Sequence, residues 1–147
     1  MTAPAAAPWV AAYLEAARIP LRLACASSSG WPCVLSLWYL PEDGRLWCAT
    51  PARARVVRWL EREPRCGFEV AENDAPYRGV RGQGRARLDP ARGDEILRKL
   101  LRRYLGGEDA PLARRLLARG EPELAIGIEV ERLTSWDFTR RMTEGST

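Results

Sequence analysis

One short segment near the middle of the chain carries the residues best suited to hold a phosphate. Thr50 and Pro51 follow an apolar run at residues 46–49, and Arg53 and Arg55 come directly after them. Threonine before proline is typical of a helix start, because the hydroxyl can cap free backbone N–H groups and proline suits the first helical position. A helix N-terminus beside arginines attracts anions. The pattern therefore predicts a phosphate-binding turn; the alternative is an arginine-covered helix face in contact with solvent.

Histidine and cysteine set limits on the chemistry that this chain can perform alone. The sequence has no histidine, which excludes Ser-His-Asp and Cys-His catalysis and the usual ligation of haem. Its four cysteines form no CxxC pair, so a zinc site would have to collect them from scattered strands. We expect no metal, no identifiable catalytic residue and a borrowed cofactor. The cysteines are expected to be reduced core residues: Cys25, Cys33, Cys48 and Cys66.

Length and composition describe one ordinary globular domain. The chain has 147 residues, of which 46% are hydrophobic and 29% charged, and its net charge of +4 permits anion binding without requiring it. No apolar run approaches the ~20 residues needed to cross a bilayer. The N-terminal sequence also lacks the basic start and long apolar centre of a secretory signal. We therefore expect a cytoplasmic protein with no membrane partner.

Hydrophobic periodicity predicts a mainly β protein with accessory helices. Because the connections between strands are short, the strands are expected to pair antiparallel, and about six of them suggest a small barrel. The nearly all-apolar segment 32–40 is predicted to be buried on both faces or central in the barrel, and the turn 41–44 joins it to the next strand as a hairpin. Strands are expected at residues 21–26, 32–40, 46–49, 66–72, 77–88 and 124–138, and helices at 9–17, after Thr50, after Asp89 and at 111–119.

The strand predicted at residues 77–88 has two different faces. One face carries glycine at two successive positions, Gly82 and Gly84, which usually marks a bulge, a tight bend or the close approach of another group, such as a bound ring. The other face is basic. Nucleic-acid binding by this face would need exposed aromatic residues for base stacking, and the strand has none there, so no nucleic-acid partner is expected. The basic face consists of Arg81, Gln83, Arg85 and Arg87.

Four segments, taken in order, carry a resemblance to a known family. They are GWPCVLSLWYLPEDGRLW, CATPARARVVRWLEREPRC, APYRGVRGQGRARL and EVERLTSWDF. Their order resembles the pyridoxamine 5′-phosphate oxidase-like family of FMN-binding split β-barrels over residues 19–138. The resemblance implies an antiparallel six-stranded split β-barrel. The expected organisation is an N-terminal helical arm (1–20), a flavin-binding barrel domain (21–138) and a C-terminal tail (139–147).

The second of these segments is similar to the phosphate-binding turn of the family. The resemblance implies that the hydroxyl and amide of Thr50 meet the FMN phosphate, and that Arg55 is the first residue of a basic pair that binds it. Val56 stands where the second residue of that pair is usually lysine. Arg53 or Arg58 could supply the missing charge.

The resemblance also implies which residues surround the flavin ring. Residues 34–39 match the strand whose backbone edges the ring, and Trp136 matches a tryptophan that lies close to it. Trp38 is either a further ring contact or a core aromatic residue. Members of the family are typically homodimers with the flavin between the subunits, which implies that Arg81 or Arg85 of one chain could reach the flavin of the other. Ser36, Trp38 and Trp136 are the residues expected to contact or cover the ring. The residues implied for cofactor binding on this side are Val34, Leu35, Ser36, Trp38, Ala49, Arg81 and Trp136.

Two departures from the family pattern argue against vitamin B6 oxidation. The Arg–His segment that follows the tryptophan in true pyridoxamine phosphate oxidases is missing, and residues 34–39 carry no basic side chain. We expect an FMN-dependent oxidoreductase that acts on an unidentified small molecule, since a flavin supplies the hydride chemistry itself. One alternative is a deazaflavin-dependent reductase, although that cofactor's longer tail would need a more extended basic groove. The other is a non-catalytic protein that binds or stores flavin.

Overall fold

Strands and helices follow one another in an order close to the expected one. The structure is a computed structural model that describes residues 6–143, so residues 1–5 of the predicted arm and 144–147 of the predicted tail lie outside it. The helices are α1 (Val10–Ala16), α2 (Arg55–Arg62), α3 (Gly93–Leu105), α4 (Pro111–Ala118) and α5 (Thr139–Thr143). The strands are β1 (Leu21–Ala26), β2 (Pro32–Leu37), β3 (Leu40–Glu42), β4 (Arg45–Pro51), β5 (Arg65–Ala71), β6 (Arg78–Asp89) and β7 (Glu123–Asp137).

All of these strands belong to one sheet in which neighbours run antiparallel. The order across the sheet is β2-β1-β5-β6-β7-β4-β3. This arrangement confirms the mainly β, antiparallel fold with accessory helices. The expected number of six strands is wrong, because the described part of the chain forms seven. The sheet is also not closed by hydrogen bonds, since β2 and β3 are its two edges.

The two edges of the sheet are nevertheless close together in space. β2 ends at Leu37 and β3 begins at Leu40, so only Trp38 and Tyr39 join one edge to the other. Three steps between successive Cα atoms span at most about 11 Å. The sheet must therefore curl into a barrel whose opening lies at Trp38 and Tyr39, which we call the split.

The apolar segment 32–40 is not a central strand, and this prediction is wrong. Residues 32–37 form the edge strand β2, whose outward side chains are exposed; Val34, for example, is 67% exposed. The chain then crosses the split, and Leu40 pairs with Trp47 of β4 instead of continuing β2. An unbroken apolar run predicts a strand, but it does not show where the chain stops pairing with one strand and begins to pair with another. The hairpin itself lies between β3 and β4, with Asp43 and Gly44 at positive φ as in a two-residue turn.

The predicted helix start at Thr50 is also wrong, because the preceding strand continues through it. β4 pairs with β7 as far as Pro51, and Thr50 lies opposite Leu124 with 7% of its surface exposed. Hydrogen bonds to β7 satisfy the backbone N–H and C=O groups of this segment. Pairing with β7 therefore overrides the local preference of Thr50 and Pro51 for a helix start. α2 begins only at Arg55, and Ala54 occupies its N-cap position without a side-chain hydrogen bond.

The core has one part inside the barrel and another beneath α3. Val10 and Leu14 of α1 are fully buried in the interior, so the helix of the predicted arm packs against the barrel. Outside the barrel, Ile96 and Leu100 of α3 pack against Trp47 of β4. α3 also approaches the start of β7 at Gly93, where a Cβ atom would lie 2.0 Å from a backbone oxygen of β7. These contacts hold α3 against the outer side of β4 and β7.

The glycine face of β6 lies at a bulge, one of the features that such glycines usually mark. The space beside the glycines is filled by other residues of the same chain and not by a bound ring. Gln83 pairs with Arg132 and Gly84 with Val130, which leaves Glu131 of β7 without a partner in the ladder. A Cβ atom at Gly84 would lie 2.2 Å from a backbone oxygen of β7, and the same atom at Gly82 would lie 2.4 Å from the ring of a buried phenylalanine on β5. The β7 backbone packs too closely on Gly84, and the phenylalanine ring on Gly82, for a side chain to fit at either position.

The four cysteines are free thiols on four different strands. Burial raises the pKa of Cys66 to about 12 and also raises the pKa of Cys25. A thiol whose pKa is raised stays protonated at neutral pH and is a poor nucleophile and metal ligand. Between residues 6 and 143, no cluster of potential metal ligands is found, and no helix is both long and apolar enough to span a bilayer.

Candidate functional site

A cleft with a volume of about 330 Å³ opens at the split in the barrel. Three of the residues implied for cofactor binding line it together: Ser36 at the end of β2, Trp38 in the split and Ala49 on β4. The opposite wall is apolar and comes from the two accessory helices that cover this side of the sheet. It consists of Leu97 and Leu100 of α3 and Leu116 of α4.

Trp38 forms a wall of the cleft that is fixed by its neighbours. Its ring stacks on that of Tyr104 with 5.0 Å between centroids and 8° between planes. The Tyr104 hydroxyl donates a hydrogen bond of 3.0 Å to the carbonyl of Ile19, which anchors the stack to the segment before β1. Trp38 thus lines the cleft and packs against the α3 side of the core at once; the packing agrees with its prediction as a core aromatic residue, and its contact with a flavin ring stays a prediction.

The polar end of the cleft is formed by two residues that the sequence analysis missed. Arg119 follows α4, and Glu123 is the first residue of β7, directly opposite Pro51 in the ladder. Burial raises the pKa of the Glu123 carboxyl, while the nearby Arg119 guanidinium acts in the opposite direction. The sequence showed only the polar segment RGEPE before the last strand, which reads as an ordinary loop. Nothing in it indicates that this loop meets the end of β4.

The predicted phosphate cradle is only partly assembled. Thr50 is enclosed within the sheet, and Arg53 forms an ion pair with Glu121. The backbone N–H of Ala52 donates to the carbonyl of Pro122, so this loop runs beside the polar end of the cleft. Arg55 is exposed in the first turn of α2, and the structure shows no ion pair or hydrogen bond from its side chain to any residue between 6 and 143. Of the three predicted phosphate ligands, Arg55 is the one available to an anion.

A second concavity, the outer-face groove, lies on the outside of the sheet and has a volume of about 680 Å³. Val34 and Arg81 line it, whereas Leu35 points to the other side of β2 and packs on the barrel core. Arg22 of β1 also lines the groove, and its Nη1 atom is buried without a hydrogen-bond partner among the described residues. The other lining residues are Ala24, Gly67, Phe68, Glu69, Gly82, Gln83, Arg132 and Thr134.

Arg81 and Trp136 contact each other beside this groove. The guanidinium lies 4.8 Å from the centroid of the indole ring, within the range of a cation–π interaction. Trp136 in turn covers Gly79, where a Cβ atom would lie 2.7 Å from the ring. The basic face of β6 therefore has an aromatic neighbour on β7 that inspection of β6 alone missed. Its arginines are ion-paired across strands: Arg81 with Glu69, Arg85 with Glu131 and Arg87 with Glu129.

Comparison with solved structures places this geometry in a known fold. A conserved hypothetical protein from Mycobacterium tuberculosis superposes with a TM-score of 0.73 at 25% identity, covering 90% of this chain and 84% of the other. An F420 reductase superposes with 0.70 at 20% identity, covering 88% and 98%. A candidate pyridoxamine 5′-phosphate oxidase from Listeria innocua gives 0.64 at 16% identity, covering 85% and 93%.

The chain has the split-barrel fold of the pyridoxamine 5′-phosphate oxidase-like proteins. The resemblance seen in the sequence is thereby confirmed at the level of the fold. No protein-family model matches the sequence, and no curated protein matches it either.

In this split barrel, the chemistry of the cleft suits a planar ring better than a phosphate. Apolar side chains and a fixed indole make up most of the lining, and the volume lies within the range of small-molecule sites. The carboxyl of Glu123 beside Arg119 offsets the charge of that arginine, which makes the polar end a poor place for a doubly charged anion. The residues that line the cleft therefore fit the ring of a flavin.

Proposed function

We propose that this split barrel binds a flavin-type cofactor with its ring in the cleft at the split. One observation carries the proposal: Ser36 and Trp38, at the end of β2, and Ala49, on β4, line one concavity. Each is among the residues that the family resemblance implies for cofactor binding. FMN is the first candidate, and the F420 reductase and the pyridoxamine phosphate oxidase-like protein with the same fold support a flavin or deazaflavin.

Each residue of the cleft has a definite role in this proposal. The indole of Trp38 and the methyl group of Ala49 form apolar surfaces against which a ring can lie. Ser36 offers a hydroxyl at the open edge of β2, and Arg55 offers an unpaired charge for a phosphate. A bound flavin would supply hydride transfer, and the protein would supply orientation and exclusion of water. We propose an oxidoreductase of the cytoplasm that acts on a small molecule; no residue of the cleft is assigned to the chemical step.

A deazaflavin is the second candidate, because the predicted FMN phosphate cradle is incomplete. Thr50 is enclosed in the sheet and Arg53 is paired with Glu121, which leaves the exposed Arg55 and Arg58 of α2 for a compact phosphate. A cofactor whose tail extends over the surface depends less on such a cradle. Titration of the purified protein with FMN and with deazaflavin, followed by fluorescence, separates the two candidates.

We further propose that a second copy of the chain covers the outer-face groove. Trp31 and Val34 are 75% and 67% exposed on or beside β2, and Arg22 has a buried nitrogen without a partner in the described residues. A homodimer through this face would cover the apolar side chains and bring Arg81 and Trp136 towards the partner's cofactor. Light scattering on gel filtration tests it: a monomer at micromolar concentration would contradict this part of the proposal.

The decisive experiment blocks the cleft with a bulky side chain. Ser36 is exposed on an edge strand, so Ser36→Trp should leave the fold intact while filling the cleft. We expect this variant to lose FMN and deazaflavin binding. Ser28→Trp, in the exposed turn before β2, is the matched control and should bind as the wild type does. Equal binding by both variants would show that the cofactor site lies elsewhere.

Enzymatic turnover needs a separate measurement, because the same cleft would serve a storage protein. The loaded protein is mixed with a reduced nicotinamide cofactor and an electron acceptor, and oxidation of the nicotinamide is followed by absorbance. We expect steady turnover above the rate of free flavin. A rate equal to that of free flavin would favour a protein that only binds or stores it.

A further inference from the structure

Glu123 occupies an unusual position for a carboxyl group. It begins β7, pairs with Pro51 of β4 and lines the cleft between the sheet and α4. Its backbone is fixed by the close approach of α3, since a Cβ atom at Gly93 would lie 2.0 Å from the Glu123 carbonyl oxygen. The side chain is half-buried. The carboxyl is therefore held at one end of an otherwise mostly apolar cavity.

The charges around Glu123 come from three elements and partly cancel. Arg119, after α4, stabilises the ionised carboxyl, whereas Glu121 and Asp94 oppose it. Glu121 is paired with Arg53, and Asp94 with Arg98 at 3.0 Å, so neither acid is isolated. β4 contributes only Pro51 and Ala49 on this side. Burial is the largest influence, and it raises the pKa of Glu123.

We propose that Glu123 binds the polar edge of the cofactor ring and that its protonated form binds more tightly than its ionised form. This inference rests on the proposed function. The pyrimidine edge of a flavin or deazaflavin carries an N–H donor between two carbonyl acceptors. A protonated carboxyl donates one hydrogen bond and accepts another, so it matches a neighbouring N–H and C=O pair. An ionised carboxylate can only accept hydrogen bonds, so a carbonyl of the cofactor ring would face its negative charge without a donor.

Riboflavin is the appropriate probe for this inference. It has the same ring as FMN but no phosphate, whose own titration near pH ~6 would obscure the result. We expect the affinity of the wild type for riboflavin to rise by about tenfold between about pH 8 and about pH 5, the effect of about one unit of difference in pKa between free and bound protein. Glu123→Gln supplies a permanent donor and acceptor, so its affinity should not change with pH and should be close to the wild-type value at low pH.

Two controls separate the cleft carboxyl from its neighbours. Glu61→Gln removes an exposed acid of α2 that does not line the cleft, and it should keep the wild-type dependence on pH. In the ligand-free protein, the carboxyl ¹³C resonance of Glu123 should titrate above the ordinary value of 4.5. This second measurement does not depend on any cofactor.

The outcomes distinguish this inference from the proposed function. If riboflavin binds equally well at both pH values, or if Glu123→Gln keeps the wild-type pH dependence, the role of Glu123 is wrong while the cleft site stands. Titration of the ligand-free carboxyl at or below 4.5 would also overturn it. If neither the wild type nor any variant binds riboflavin, FMN or deazaflavin at any pH, the proposed function fails and this inference fails with it.

Discussion

The hydroxyl of Tyr104 accepts a hydrogen bond of 3.2 Å from the backbone N–H of Tyr39. Tyr39 lies in the split, where the chain leaves one edge of the sheet and joins the other, so its N–H has no ladder partner. An unpaired backbone N–H in a part-buried position is costly. A side chain from α3 therefore replaces the hydrogen bond that sheet closure would have provided, and the same side chain supports Trp38.

Removal of the Tyr104 hydroxyl should destabilise the protein. Tyr104→Phe leaves the Tyr39 N–H and the Ile19 carbonyl without their partner, and we expect a loss of about 1–3 kcal/mol in the free energy of unfolding. Urea unfolding measures it. Tyr77→Phe is the matched control, since Tyr77 is 41% exposed. Equal stabilities of the two variants would contradict a structural role for this hydroxyl.

Gly84, at the bulge between β6 and β7, should tolerate no side chain. A Cβ atom there would meet the backbone oxygen of Glu129 at 2.2 Å, and backbone cannot move aside cheaply. We expect Gly84→Ala to lower the free energy of unfolding by at least about 2 kcal/mol, as overpacking does. At Gly67 on β5, the nearest atoms are at an ordinary 3.7 Å. Gly67→Ala should therefore be close to neutral in the same denaturation experiment.

Glu42 should contribute stability that disappears in acid. Its carboxylate accepts hydrogen bonds from Lys99 at 2.6 Å and Arg92 at 2.5 Å, which lower its pKa below the ordinary 4.5 and connect β3 to α3. Because the folded-state pKa is depressed, the contribution is present above about 4.5 and is lost as the pH falls through the folded-state pKa. Glu42→Gln should cost about 1 kcal/mol at neutral pH.

The pH dependence of that loss is its test. The stability difference between wild type and Glu42→Gln should shrink as denaturation is repeated from about pH 7 down to about pH 2.5. Glu61→Gln, on the exposed side of α2, serves as the control and should show little difference at either pH. A difference for Glu42→Gln that stays constant in acid would rule out the charged hydrogen bonds as its origin.

Arg55 should contribute to the binding of the FMN phosphate and not to the binding of the flavin ring. If the FMN phosphate reaches the start of α2, Arg55→Ala should weaken FMN binding by about 1.5–3 kcal/mol, as expected for a charged hydrogen bond. Riboflavin binding should not change. Arg53→Ala should have the smaller effect on FMN, because Arg53 is already paired with Glu121. Fluorescence titration of the variants with both ligands measures this, and unchanged FMN affinity in Arg55→Ala would place the phosphate elsewhere.

Most strands and helices could be predicted from the sequence because their signals are local. Alternation of apolar and polar residues marked β5, and the two glycines marked the bulge in β6. Asp89 accepts a hydrogen bond from the N–H of Ala91, as its position before a proline predicted. Short connections were enough to predict antiparallel pairing. The absence of histidine likewise pointed to a borrowed cofactor without any knowledge of the fold.

What only the tertiary structure decided is where strands end and which surfaces meet. Thr50 carries a strong local signal for a helix start, yet β4 continues through it because β7 provides a hydrogen-bonding partner. Ser36, Trp38 and Glu123 share a cleft because the sheet curls until its edges meet, and β7 begins beside the end of β4. Such pairings join residues that are far apart in sequence. The hydrogen bonds and packing that favour them are not visible in the residue pattern of either strand alone. The sequence therefore determined most of the elements, while strand pairing determined the shape of the cleft and placed Glu123 in it.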